Sequence, residues 1–167
     1  MATLELARHH LKIGEVLGDA RAAGHSGEIE LLSWGWGEVQ SGSFGAESSS
    51  NSGGNLAMRD FAFTARTGLA SANLMLYCSC GKPLKSAVMT CEQAKSGGGN
   101  HIYLTVTMTK VIISKYDVVL PPEKDYPVDT FEVKFEKIEF KYVPLKPDGT
   151  VGGNCTASWN LATNNQQ

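Results

Sequence analysis

Four histidines and four cysteines are the side chains in this chain most able to hold a metal or act as nucleophiles. Cys78 and Cys80 are spaced C-x-C in a segment that reads as a helix, so their side chains point about 200° apart. No second pair follows at zinc-ribbon spacing, and the pair reads as ordinary small, buried side chains. His9 and His10 lie at the edge of the first strand and face opposite ways, which argues against a shared metal. The run "SGGGN" precedes a strand rather than a helix, and no Lys-Ser/Thr follows it. A phosphate-cradling loop needs both, so the glycines read as a hairpin turn. "NCT" at 154–156 fits a glycosylation sequon, which carries no information without a secretory signal. Neither G-x-S-x-G nor H-E-x-x-H occurs, and no spacing brings a Ser, a His and an Asp together. The sequence therefore points to no catalytic residue, no metal and no cofactor, and the expectation is a protein that is not an enzyme.

The composition narrows the partners. A net charge of −2 offers no clustered Lys and Arg for phosphates, so neither nucleic acid nor an anionic membrane is expected as a partner. No run approaches the roughly 20 apolar residues of a membrane span. "MATLELARHHLKIGEV" has acidic residues and histidines where an export signal needs an apolar core, so no cleavable signal peptide is expected. Four cysteines in 167 residues make no disulfide framework and read as reduced thiols of a protein made in the cytoplasm. The length suits one domain, residues 1–167.

Apolar alternation supplies the elements that would position these side chains. Leu11, Ile13 and Val16 point inward from the first strand, as do Phe61 and Phe63 in a later one. Ala87, Met89 and Cys91 alternate with Val88, Thr90 and Glu92, and Ile102, Leu104, Val106 and Met108 with Tyr103, Thr105 and Thr107. In "TFEVKFEKIEFKYV" the apolar set moves from Phe131, Val133 and Phe135 to Ile138, Phe140 and Tyr142. That phase change predicts an extra residue near Glu136–Lys137, bending one long strand round a barrel corner. The charges on its other face, Glu132 to Lys141, read as a solvated face, with an intersubunit contact as the alternative. "SANLMLYCSC" reads as one short helix with Ser71 as N-cap and Gly81 past its end. Residues 41–58 form a long loop too polar and glycine-rich to hold a core. About eight strands, one helix and this loop describe a mainly β protein, a closed or nearly closed antiparallel β-barrel.

The order of these pieces carries a resemblance. "HLKIGEVLGDARAAGHSGEIELLSWGWGEVQSGS" resembles the opening of the hemolysin-coregulated (Hcp) proteins, tube-forming subunits of bacterial type VI secretion systems. The matching residues are His25, Glu28, Ile29, Ser33, Trp34, Trp36, Gly37 and Gln40. "RDFAFTARTGLASANLMLYCSCGK" is similar to the family's strand-then-helix segment and "YLTVTMTKVIISKY" to its central hairpin. "FEVKFEKIEFKYVPLKPDGTVGG" with Trp159 is similar to its C-terminal part, so the similarity runs over about residues 9–161. A C-terminal effector extension is not expected.

The resemblance implies a two-sheet barrel with a lateral helix, assembled as a homohexamer whose rings stack into a tube. Spike and sheath proteins and small effector proteins, held in the lumen, are the implied partners. It further implies assembly in the cytoplasm followed by secretion. Within this frame Trp34, Trp36 and Trp159 are candidate core or interface anchors, with Leu32 on the face of the first two. Ser33 and Gly35 are candidate lumen contacts. Ile29 and Leu31 lie in the opposite phase, which calls for a bulge or burial on both sides. Ser41, Phe44, Glu47, Asn51 and Asn55 mark the loop that would reach the next ring. A small β-barrel effector, or a hydrolase-like or lectin-like binding protein, is the competing reading, and the native mass separates it from a ring-former.

Overall fold

A computed structural model describes residues 8–42 and 55–166. The strands are β1 (Arg8–Ile13), β2 (Ile29–Gly35), β3 (Glu38–Gln40), β4 (Leu56–Met58) and β5 (Phe61–Arg66). After helix α1 (Ser71–Cys80) come β6 (Leu84–Ala94), β7 (Asn100–Val119), β8 (Val128–Tyr142), β9 (Cys155–Asn160) and β10 (Asn165–Gln166). Antiparallel pairing runs β8-β5-β2-β1-β6-β7, and β7 pairs back onto β8, which closes a six-stranded barrel. β9 and β10 extend the sheet from the far half of β8, while β3 and β4 form a separate small hairpin. Closure pairs most of the barrel strands on both sides, while β7 beyond Val111 pairs with β8 alone and the Ser33–Gly35 end of β2 with β5 alone.

The alternating residues meet inside. Leu11, Ile13, Phe61, Phe63, Met89, Val106, Met108, Phe131 and Val133 are among those with essentially no exposed surface. Phe61 stacks on Phe63 at 4.8 Å within β5, and Phe63 meets Phe131 of β8 at 5.4 Å, so two neighbouring strands share one aromatic ladder. Ile102 departs from the expected pattern and is exposed near the open end of β7.

The phase change in β8 takes place, but not through an extra residue in one strand. Phe135 and Ile138 are both buried. β7 makes the same switch opposite them, with Met108 and Val111 both buried and Lys110 in the left-handed region at φ 52°. Because both strands turn together, the register continues from Thr109–Lys137 to Val111–Phe135 without slipping. Lys110 Nζ bonds Glu136 Oε1 at 2.8 Å across the corner. There β8 changes its other neighbour, pairing with β5 up to Val133 and with β9 from Lys137. A single-strand bulge was expected because the sequence of one strand does not reveal that its partner bends too.

Other expectations need correction. "YLTVTMTKVIISKY" is not a hairpin but part of one continuous strand, β7. The helix N-cap is Ala70, and Ser71 is the first helical residue. Its hydroxyl bonds Asp129 Oδ2 at 2.5 Å and accepts the Gly68 N–H at 2.9 Å. The C-terminal end is as expected, with Gly81 at φ 61°. Leu56–Met58 belongs to β4, and Met58 packs on the core, so the long loop is shorter than 41–58.

Candidate functional site

Two groups of side chains lie where the sequence offers chemistry or assembly. The first surrounds the tryptophans of β2. Leu31 pairs with Ala65 and Ser33 with Thr64, which leaves Leu32 as an extra residue in a bulge. Ile29 and Leu31 are buried before the bulge, and Trp34 and Trp36 pack on the same core after it. Leu32 faces away and is 44% exposed, which corrects its placement beside the tryptophans. Trp36 contacts Phe140 at 5.4 Å and Phe61 at 6.2 Å, and its Nε1–H donates to the Arg59 carbonyl at 2.9 Å. Trp34 tilts against Phe61 at 5.8 Å. Beside it burial pushes the Cys91 thiol up to about 11, so this sulfur stays protonated and packs as a small apolar group.

Ser33 and Gly35 are exposed, and the Ser33 hydroxyl lies 2.5 Å from that of Thr64. Trp159 is half-buried against the core, with its Nε1 buried and unpartnered. Ser41 and Asn55 close the base of the loop, with the Ser41 hydroxyl accepting the Asn55 N–H at 3.0 Å. Phe44, Glu47 and Asn51 lie outside the described residues. All four cysteines are free thiols. Cys78 packs partly on the core, but Cys80 and Cys155 are exposed, so the buried reading of the C-x-C pair holds for Cys78 alone.

The second group was not foreseen as a unit. His10 points away from Leu11 and Ile13, on the outer face of β1, yet it is completely buried. The connection between β1 and β2 folds over it. That connection is closed by hydrogen bonds from Gly18 N to Gly27 O, Gly27 N to Ala20 O and Ala20 N to Glu28 O, between 2.8 and 3.0 Å. It lays the His25 ring flat on His10, 4.2 Å between centroids with planes 4° apart. His25 Nδ1 lies 2.8 Å from Glu28 Oε2, and Nε2 lies 2.7 Å from Glu92 Oε1. Asn100 Nδ2 holds the other oxygen of Glu92 at 3.1 Å.

Two carboxylates can only accept, so both ring nitrogens of His25 must donate and the ring is an imidazolium. Burial opposes this charge, but the bonds to Glu28 and Glu92 outweigh it and hold the His25 pKa above its ordinary value. His10 is pushed the other way, by burial and then by the charge of His25, and stays neutral. Both its nitrogens are buried without a partner. The sequence placed Glu92 opposite Cys91, and it is; the covering turn, invisible to strand alternation, is what buries it.

The barrel, its lateral helix and the His25–Glu28 turn can now be set beside known proteins. The family model for "Type VI secretion system effector, Hcp" matches residues 10–142. This chain belongs to the Hcp family. It is 32% identical over 158 residues to Protein hcp1 of Pseudomonas aeruginosa, spanning 93% of this chain and 96% of that one. The crystal structure of Hcp1 from Salmonella typhimurium superposes with a TM-score of 0.77 at 25% identity, covering 96% of this chain and 99% of that one. A further structure, described as a type six secretion system protein, reaches 0.86 at 20% identity with the same coverage and shares the fold. Among the described residues of this Hcp-family chain, no helix is long and apolar enough to cross a membrane.

Proposed function

We propose that this chain is the structural tube subunit of a type VI secretion system: one Hcp-like unit over residues 1–167, closing as a homohexamer with an open centre. Rings stack into the inner tube, are assembled in the cytoplasm with spike and sheath proteins, and leave the cell carrying small effectors in the lumen. The role needs no catalytic step.

The observation that carries the reading is an uncovered apolar surface on a barrel that is already closed. Val118, Val119 and Leu120, at the end of β7, are 53, 58 and 61% exposed, and Met75 and Leu76 are exposed on α1. A monomer gains nothing from consecutive apolar side chains in water, whereas a head-to-tail ring needs two different patches, one for each neighbour. Ser33 and Gly35, small and uncharged, suit a lumen wall that releases its cargo. Ser41, Phe44, Glu47, Asn51 and Asn55 belong to the loop assigned to the next ring, while Trp34, Trp36 and Trp159 hold the barrel from which it projects.

Native mass measurement with negative-stain imaging tests the proposal. The parent should give a six-fold mass and annular particles, and Val119→Asp with Leu120→Asp should give a folded monomer. A parent that remains monomeric at micromolar concentration would refute the ring and favour a binding or effector role.

A further inference from the structure

The cluster under the β1–β2 connection has a charge imbalance that invites a cation. Glu28 and Glu92 carry two negative charges, and the His25 imidazolium supplies one positive charge. A net negative charge is thus held where His10, His25 and Glu92 are all buried. His10 lies against this group with two buried nitrogens that meet no hydrogen-bond partner among the described residues. A neutral imidazole whose lone pair meets no hydrogen-bond donor, beside two carboxylates that share one imidazolium, is a ligand without a cation.

We propose that His10, His25 and Glu92 form a binding site for a divalent transition metal of the zinc class. One ligand atom from each of the three residues already lies within 4.8 Å of the others. Two imidazoles and one carboxylate are a borderline donor set that suits zinc, cobalt or nickel rather than calcium or magnesium. The metal takes the place of the proton between His25 Nε2 and Glu92 Oε1. That proton leaves for solvent, His25 becomes a neutral ligand, and His25 Nδ1–H continues to donate to Glu28. The buried charge then sums to zero, two carboxylates against one dication.

The supporting shell is already in place. Glu28 fixes the tautomer of the ligating ring, and Asn100 fixes the second oxygen of Glu92. One movement is required. The His10 ring lies parallel to that of His25 and must turn about its Cβ–Cγ bond so that a nitrogen converges on the metal. Its unpartnered nitrogens leave it free of hydrogen bonds that would oppose the turn.

The test uses the full chain stripped with EDTA, titrated with Zn²⁺ alone by calorimetry in two buffers of different ionisation heat. The expected result is one Zn²⁺ per chain with release of about one proton, and affinity that falls about tenfold per pH unit while His25 is protonated. His10→Leu and Glu92→Gln should each fold, as checked by circular dichroism, and lose binding. Asn100→Ala should weaken binding about tenfold. The two ligand variants are independent, so either alone decides if the other does not fold. Co²⁺ in place of Zn²⁺ should give the visible bands of a nitrogen and oxygen site without a thiolate charge-transfer band. No stoichiometric binding would overturn the proposal. So would binding undiminished in both variants, or a thiolate band, which would place the metal at Cys80 or Cys155.

Discussion

Replacing Gly18 with alanine should destabilise the barrel although the residue lies in a surface connection. A methyl group there would overlap the Glu28 carbonyl, 2.5 Å from its carbon and 2.7 Å from Ile29 N. Both obstacles are backbone, so no side chain can rotate away and the two halves of the connection must part. Three hydrogen bonds hold those halves, Gly18 N–Gly27 O, Gly27 N–Ala20 O and Ala20 N–Glu28 O. At about 1 kcal/mol each, their loss or distortion amounts to about 2–4 kcal/mol. A chain of this size loses about 2–4 °C of melting temperature per kcal/mol, so the expected drop is roughly 5–15 °C by thermal circular dichroism. Gly35→Ala is the control. None of the described residues lies within 4 Å of a methyl group there, and its effect should stay within about 0.5 kcal/mol. A Gly18→Ala melting temperature within about 2 °C of the parent would show that the connection is not held closed as described.

Trp36→Phe keeps an aromatic ring against Phe61 and Phe140 but removes the Nε1–H bond to Arg59 O, and should cost about 1 kcal/mol by urea unfolding. Stability of the EDTA-treated protein should peak near the ordinary histidine value of 6.5. His25, raised by its two carboxylates against burial, contributes stability that is full below 6.5 and lost as pH rises through its folded value. His10, lowered by burial and by His25, contributes stability present above 6.5 and lost as pH falls through its folded value. Urea midpoints across pH should show both arms, and Glu28→Gln should shrink the alkaline one; an unchanged alkaline arm would mean His25 does not carry it. Shortening residues 46–54 to a few residues should leave the proposed ring with its number of subunits unchanged and reduce secretion, because the Ser41–Asn55 closure lies outside the cut. Secretion at the parental rate would remove the loop from ring stacking.

What could be read from the sequence was whatever depends on one strand at a time. Leu11, Ile13, Phe61, Phe63, Met89 and Val106 are buried as alternation required, and the phase change between Phe135 and Ile138 marks a true corner. What escaped depends on neighbours. Lys110 bends β7 in step with β8, and nothing in "VTMTKVIIS" announces a left-handed lysine. Leu32 looks like the partner of Trp34 until the register against β5 places it in a bulge. His25 and Glu28 were noticed as matches to a family pattern, but His10 was weighed only against His9, and Glu92 was placed only on the face opposite Cys91. Only the folding of the 18–28 connection over the outer side of β1 makes the four one cluster, with His10, His25 and Glu92 buried and Glu28 at its rim. Such a cover is a tertiary fact, without a local period to betray it.

The long ribbon of β7 and β8 also has a mechanical meaning. Its rungs run from Leu104–Tyr142, through the corner at Lys110–Glu136 and a one-residue register shift between Ile113 and Lys115, to Val119–Val128. Pulled across the strands, such a ribbon opens like a zip, one rung after another. Pulled along them, it loads its rungs side by side, and many must yield together. The corner places two stretches of this ribbon in different directions, so a thrust aligned with either one meets a shear-loaded half. A barrel built in this way resists being pushed lengthwise better than it resists being peeled.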